Sequence, residues 1–127
     1  MAAGRYTFIV EQGATTDWEI SWKDKNGAAV DLTGYTGRMQ IRSDYGSSGT
    51  LYASLTNTLA ADGTGLNFLG SAGLLPLASG SIGVYISAAV TSAFTFTEAK
   101  YDLELQKGTK VTRLLSGKVK LSKEVTV

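Results

Sequence analysis

The sequence predicts an all-β protein, built as a compact antiparallel sandwich or barrel of about seven strands with at most one short helix. Two observations support this prediction. Short segments in which apolar and polar residues alternate recur at intervals of about ten residues, with turn residues between them. Residues 101–127 form two further alternating segments joined by a tight turn that contains Gly108. This pattern of two alternating segments is typical of a sheet with one buried face and one solvent-exposed face.

The first two strands are predicted at residues 6–10 and 17–23. Alternation in the second segment places Trp18, Ile20 and Trp22 on one face, which makes this the clearest core strand. The two tryptophans also have the chemistry to stack on a sugar, but the face they share with an isoleucine favours core packing. The following Asp-Lys-Asn-Gly segment predicts a turn, because Asn-Gly tolerates a positive φ.

The third strand is predicted at residues 36–43. Met39 and Ile41 form its apolar face, and alternation turns the intervening side chains the other way. Those side chains are Arg38, Gln40 and Arg42.

The remaining elements are a loop tip, three extended segments and one helical turn or two. The loop tip is at residues 44–49, and the extended segments are at residues 51–55, 66–68 and 80–87. Ser87 is the expected N-cap of the helical turns at residues 87–94. Residues 63–83 are rich in glycine and lack a phosphate-loop pattern, so we expect a flexible surface stretch that orders against a neighbour.

Composition excludes several classes of function. The chain has 127 residues, which suits a single domain over residues 1–127. It has no cysteine and no histidine, which disfavours thiol or histidine catalysis, disulfides and the commonest zinc and iron sites. A net charge of +1 predicts no binding to nucleic acid or an anionic membrane. We therefore expect no enzyme activity, no cofactor and no metal.

Two further local patterns have simple interpretations. Asp24, Asn26 and Asp31 have the oxygen spacing of a calcium loop, but the required downstream glutamate is missing, so turn chemistry is the better interpretation. The N-terminus lacks the apolar segment of a signal peptide, and no stretch is long and apolar enough for a transmembrane helix. Synthesis in a cytoplasm is the expectation.

Three phrases in the sequence carry a resemblance to a known group of proteins. They are Val-Asp-Leu-Thr-Gly-Tyr-Thr-Gly-Arg-Met-Gln-Ile-Arg at residues 30–42, Tyr-Asp-Leu-Glu-Leu at residues 101–105, and Gly-Lys-Val-Lys-Leu-Ser-Lys-Glu-Val-Thr at residues 117–126. Together they resemble small virion proteins of tailed bacteriophages, and within that group the N-terminal domain of upper baseplate proteins. This resemblance implies an immunoglobulin-like β-sandwich and a structural role in the particle. It also implies a virion location after synthesis in the host cytoplasm.

Upper baseplate proteins usually continue into a coil and a further domain, whereas this sequence stops at Val127 after its last strand. We therefore expect a non-catalytic connector or adaptor subunit of the tail or baseplate, in a symmetric homo-oligomer or larger assembly. Its expected partners are copies of itself and other virion proteins. A capsid decoration subunit is the nearest alternative. A carbohydrate-binding module for host attachment, using Asp44, Tyr45, Tyr52 and Tyr85, is a second, and a carboxylate-based cell-wall hydrolase is a third.

Basic side chains are the predicted contacts to these partners. Arg38, Arg42 and Arg113 have the chemistry to clamp a partner's carboxylates, although a solvated sheet face is the commoner reason for such a row of charges. Lys118, Lys120 and Lys123 are predicted either to contact a partner or to protect a sheet edge against stray pairing. The predicted partner-binding residues are Arg38, Arg42, Arg113, Lys118 and Lys120.

Overall fold

A computed structural model describes residues 4–46 and 49–125, which form nine strands and one short α-helix. The strands are β1 (Gly4–Arg5), β2 (Phe8–Glu11), β3 (Thr16–Ser21), β4 (Thr36–Arg42), β5 (Leu51–Thr56), β6 (Gly65–Asn67), β7 (Ser81–Ile86), β8 (Glu98–Lys107) and β9 (Lys110–Ser122). The helix is α1 (Ala88–Ser92), and a single 3-10 turn covers Leu77–Ser79. The all-β prediction is confirmed, with more strands than the seven or so expected.

The strands form two sheets that pack as a sandwich. The larger sheet has the order β1-β9-β8-β4-β5, with β2 also paired to β9, and the smaller has the order β3-β7-β6. Consecutive strands pass repeatedly between the sheets, and this connectivity is that of an immunoglobulin-like sandwich. Two pairings depart from the antiparallel pattern, because β1 and β2 both run parallel to β9. The whole sandwich lies between these strands in sequence, which supplies the long connection that a parallel pair needs.

The inner faces of both sheets supply one apolar core. Alternation in β4 and β8 buries every second side chain, as the sequence predicted for Met39 and Ile41. In β7, within the extended segment predicted at residues 80–87, the inward residues Ile82, Val84 and Ile86 are fully buried. The largest fully buried side chains are Val10, Leu32, Met39, Ile41, Leu55, Leu66, Ile82, Val84, Ile86, Leu103, Leu105 and Val119.

The strand that the sequence marks as the clearest core strand is an edge strand. β3 pairs with β7 and ends the smaller sheet, so Trp18 and Ile20 share a face but are half-buried. The Trp18 ring stacks on Phe8 of the other sheet, with ring centroids 3.7 Å apart. Trp22 lies beyond the end of β3 and meets Tyr35 edge-on at 5.3 Å. Core packing, and not sugar stacking, therefore occupies both indoles.

The part of the glycine-rich stretch between β6 and β7, residues 68–80, folds over the outer face of the smaller sheet, and we call it the cover. A Cβ added to Gly83 in β7 would lie 2.7 Å from the Ser71 Cα and 2.8 Å from its backbone nitrogen. The Glu19 carboxylate accepts a hydrogen bond from the Ser71 amide (3.0 Å), and the Leu75 amide donates to the Leu69 carbonyl (2.9 Å). The stretch predicted to be flexible is thus a hydrogen-bonded cover whose backbone touches the sheet.

The predicted helix cap at Ser87 is confirmed. Its Oγ accepts a hydrogen bond from the Val90 amide (3.2 Å) and donates one to Asp62 Oδ2 (2.7 Å). Asp62 Oδ1 also accepts the Thr64 amide (2.9 Å). The Ser87 hydroxyl and the Thr64 amide hold the pKa of Asp62 below its ordinary value, because both favour the ionised carboxylate.

Neither helical segment in the described ranges has the length and apolar character to cross a membrane.

Substitution of Gly83 by alanine tests the contact between the cover and the smaller sheet. The new methyl group would overlap the Ser71 backbone, so we expect a loss of about 1–3 kcal/mol in the free energy of unfolding. Urea denaturation measures it. Ser54→Ala, at an exposed position of β5, is the matched control and should change stability by less than about 0.5 kcal/mol. Equal stability of the Gly83→Ala and Ser54→Ala variants would contradict the contact.

The lowered pKa of Asp62 makes the contribution of this carboxylate to stability depend on pH. The pKa of Asp62 is lower in the folded chain than in the unfolded chain. Its contribution to the free energy of unfolding is therefore complete above the unfolded-state pKa and is lost as the pH falls through the folded-state pKa. Asp62→Asn should therefore be less stable than the native protein at pH 7, and the difference should shrink below about pH 4. Urea titrations at both pH values measure the difference, and a pH-independent one would refute this role.

Candidate functional site

The outer face of the smaller sheet is partly covered by the chain itself, whereas that of the larger sheet is exposed. The cover lies on the smaller sheet, whereas the outer face of the larger sheet presents the charged side chains of β4, β8 and β9. Strand alternation puts these side chains outward because their neighbours in sequence fill the core. We call this surface the charged face. Its basic residues are Arg38, Arg42, Lys100, Arg113, Lys118 and Lys120, and its acidic residues are Glu98, Asp102 and Glu104.

Glu104 is the centre of the ion pairs on the charged face. It lies in β8 between Arg38 of β4 and Arg113 of β9 in the strand register. Arg38 donates a hydrogen bond from Nε to Glu104 Oε1 (2.9 Å), and its Nη2 lies 2.9 Å from the same oxygen as an ion pair. Arg113 approaches Glu104 Oε2 from Nη2 at 3.8 Å and Asp102 Oδ2 from Nε at 3.6 Å. Two of the predicted partner-binding arginines are therefore brought together by one carboxylate.

Arg42 lies further along β4 and holds a loop in place. Its Nε donates to Gln40 Oε1 (3.0 Å) and its Nη1 donates to the Gly49 carbonyl (3.1 Å). Beside it is an open depression of about 330 Å³ with Asp44 and Tyr45 at its rim. The predicted loop tip at residues 44–49 lies between β4 and β5. Its residues 47 and 48 are outside the described ranges. Arg42 thus shapes the end of the charged face.

The lysines form a second cluster around Glu98. The Nζ of Lys118 lies 3.5 Å from Glu98 Oε1, and the Nζ of Lys100 lies 3.6 Å from the same atom. Lys120 is opposite Glu98 in the strand register and is exposed. Desolvation opposes ionisation of Glu98, but the nearby charges of Lys118 and Lys100 prevail and lower its pKa.

The alternative of edge protection by Lys118 and Lys120 is wrong. These lysines lie in β9, which pairs with β8 on one side and with β1 and β2 on the other. The strand is therefore inside the sheet and has no free edge to protect. Solvation or partner contact remain as their roles.

Asp102, in the middle of the charged face, has a pKa above its ordinary value. Burial is the main cause, the negative charge of Glu104 adds to it, and Arg113 and Arg38 oppose it. The closest guanidinium contact on this face, at 2.9 Å, is made to Glu104, whereas Arg113 stays 3.6 Å from Asp102. The arrangement can exchange these internal ion pairs for contacts with charges on a partner.

The residues proposed for sugar binding do not meet. Asp44 and Tyr45 border the depression on the larger sheet, and Tyr52 packs against Phe96 with ring centroids 4.6 Å apart. Tyr85 belongs to the smaller sheet, where its ring would contact a Cβ at Gly63. The structure thus separates the three tyrosines.

The calcium-like pattern is turn chemistry. Asp24 Oδ1 accepts the amides of Asn26 (2.9 Å) and Ala28 (3.0 Å), and Asp31 Oδ1 accepts the amide and hydroxyl of Thr33. These carboxylates hold the backbone of their own turns. In the described part of the chain, histidine, cysteine and acidic side chains form no group of three or more placed to hold a metal ion.

Sequence reasoning missed Glu98, Lys100, Asp102 and Glu104 as members of the site. The alternation of Tyr-Asp-Leu-Glu-Leu already placed two of the carboxylates on a wet face. Their pairing with Arg38 and Arg113 depends on contacts between residues far apart in sequence, and a single sequence carries no signal for that register.

Comparison with known proteins assigns no family. No protein-family model matches the chain, and no curated protein matches it. The resemblance to virion proteins therefore depends on the three sequence phrases alone.

Substitution of Glu104 tests the electrostatic description of the charged face. Glu104→Gln removes a negative charge beside Asp102 and frees Arg113 and Arg38 to approach it, so the pKa of Asp102 should fall. Carboxyl-carbon NMR titration of Asp102 measures this change. The control is Glu98→Gln, at the far end of the same face, which should leave that pKa unchanged. A rise in the pKa of Asp102 in Glu104→Gln would contradict the description.

Proposed function

We propose that the protein is a non-catalytic structural subunit of a tailed bacteriophage particle, a connector or adaptor of the tail or baseplate. One observation carries the proposal. Within the described residues, the three phrases that resemble virion proteins include parts of β4, β8 and β9, the neighbouring strands that bear the charged face. The resemblance and the open surface thus coincide. In this role the subunit binds copies of itself and other virion proteins.

The geometry of the charged face suits repeated protein contacts. Its ion pairs hold their side chains in place before binding, which reduces the entropy lost on association. Arg38 and Arg113 are each 57% exposed at the side chain while bonded to Glu104 or Asp102, so both have room for a second carboxylate. The basic side chains outnumber the acidic ones, which favours an acidic partner surface.

A capsid decoration subunit would differ from the proposed connector in its location, and a carbohydrate-binding module would differ in its ligand. A capsid decoration subunit would use the same face and differ in its place in the particle. A carbohydrate-binding module would need its aromatic residues to converge, and the separation of Tyr52 and Tyr85 from the depression beside Tyr45 does not favour it. We therefore retain the tail or baseplate connector as the proposed function.

Localisation of the protein in purified particles tests the proposed function. Particles of the phage that encodes the chain would be separated into heads and tails and probed with an antibody against the protein. We expect the protein in the tail fraction. Detection solely on heads would replace the connector with a capsid decoration subunit, and absence from particles would refute the structural role.

Charge reversal on the charged face tests which surface makes the contacts. Arg113→Glu would add a third acid beside Asp102 and Glu104, so we expect incorporation into particles to fall about tenfold. The control, Lys25→Glu, makes the same charge change in an exposed turn and should leave incorporation unchanged. Both variants should fold, because exposed ion pairs contribute little to stability. Equal incorporation of the two variants would contradict a role of this face.

A further inference from the structure

A second surface lies on the side of the sandwich where β2 and β3 face each other. The space between these strands is an open groove of about 680 Å³. We call it the edge groove. Its lining residues are Gly4, Arg5, Tyr6, Thr7, Phe8, Ile9, Trp18, Glu19, Ile20 and Leu115.

Both strands beside the edge groove have a free edge. Within residues 4–46 and 49–125, β2 pairs with β9 alone and β3 pairs with β7 alone. The opposite side of the sandwich is closed, because a Cβ on Gly65 of β6 would lie 2.8 Å from the Thr56 carbonyl oxygen of β5. The sandwich is therefore open along one side, where backbone donors and acceptors of β3 have no strand beside them.

The edge groove has an apolar floor. Phe8 and Trp18 stack across it at 3.7 Å and join the two sheets. The Tyr6 ring meets Phe8 edge-on with ring centroids 4.8 Å apart and is 56% exposed at the margin of the groove. Burial of these side chains would favour an occupant with apolar residues on one side.

The outward row of β3 is acidic. Asp17 and Glu19 alternate with Trp18 and Ile20 and point away from the core. None of the salt bridges in the described part of the chain includes either carboxylate, and Glu19 keeps its Oε2 free while its Oε1 accepts the Ser71 amide (3.0 Å). Antiparallel pairing of β3 with β3 of a second copy would bring like charges together, which is destabilising. The acidic outward row of β3 is therefore complementary in charge to a strand that carries basic side chains.

We propose that the free edge of β3 accepts an extended peptide strand in which apolar residues alternate with lysine or arginine. The backbone of the strand continues the smaller sheet, its apolar side chains enter the edge groove, and its basic side chains lie beside Asp17 and Glu19. This inference goes beyond the structural role proposed above, because it concerns another surface and a binding activity of the isolated protein.

Peptide binding to the full chain tests the inference. The probe is an acetylated octapeptide in which valine and lysine alternate, and its affinity is measured by calorimetry. We expect binding, together with slower amide hydrogen exchange in β3. A version with proline in place of two central valines lacks two backbone donors and should not bind. Absence of binding by the first peptide, or equal binding of the two, would overturn the inference.

Asp17→Lys tests the charge preference. The variant should bind the valine–lysine peptide about threefold to tenfold more weakly and should bind a valine–glutamate peptide more tightly than the native protein does. Asp44→Lys, on the other sheet, makes the same change of net charge and is the control. Circular dichroism verifies that both variants fold. An equal loss of affinity in both variants, or slower exchange in β5 instead of β3, would show general charge attraction and would overturn the inference.

Discussion

The double pairing of β8, with β4 on one side and β9 on the other, is the constraint on which the rest of the structure depends. This strand has ten residues, and its inward side chains Ala99, Tyr101, Leu103 and Leu105 are almost completely buried. Because the side-chain period of a strand is two, the same pairing turns Glu98, Lys100, Asp102 and Glu104 outward. A shift of β8 by one residue would exchange the core with the charged face. The register that makes the core therefore also makes the candidate site.

The surfaces available to partners are those that the chain does not cover itself. The cover at Ser71 lies on Gly83 and occupies the middle of the outer face of the smaller sheet, and Gly65 closes one side of the sandwich against Thr56. Among the residues that the structure describes, the charged face and the edge groove stay uncovered. They differ in physical character, since the first offers paired charges on a flat sheet and the second offers backbone hydrogen bonds above apolar side chains.

Local patterns in the sequence were sufficient for features that depend on neighbouring residues. The alternation of Met39 and Ile41 with arginines was visible directly, and so was the cap at Ser87, because each depends on a few adjacent positions. Features that depend on distant pairing were not predicted. The edge position of β3, the interior position of β9 and the contact of Arg38 with Glu104 all follow from sheet order, which local alternation does not encode.

We propose that the charged face is the surface buried on assembly. The most direct test is the acetylation rate of individual lysines, measured by mass spectrometry on the isolated protein and on intact particles. The account predicts that Lys100 and Lys118 react several-fold more slowly in particles, whereas Lys25 in its exposed turn reacts at the same rate in both. Equal rates for all three lysines in the two samples would contradict the claim.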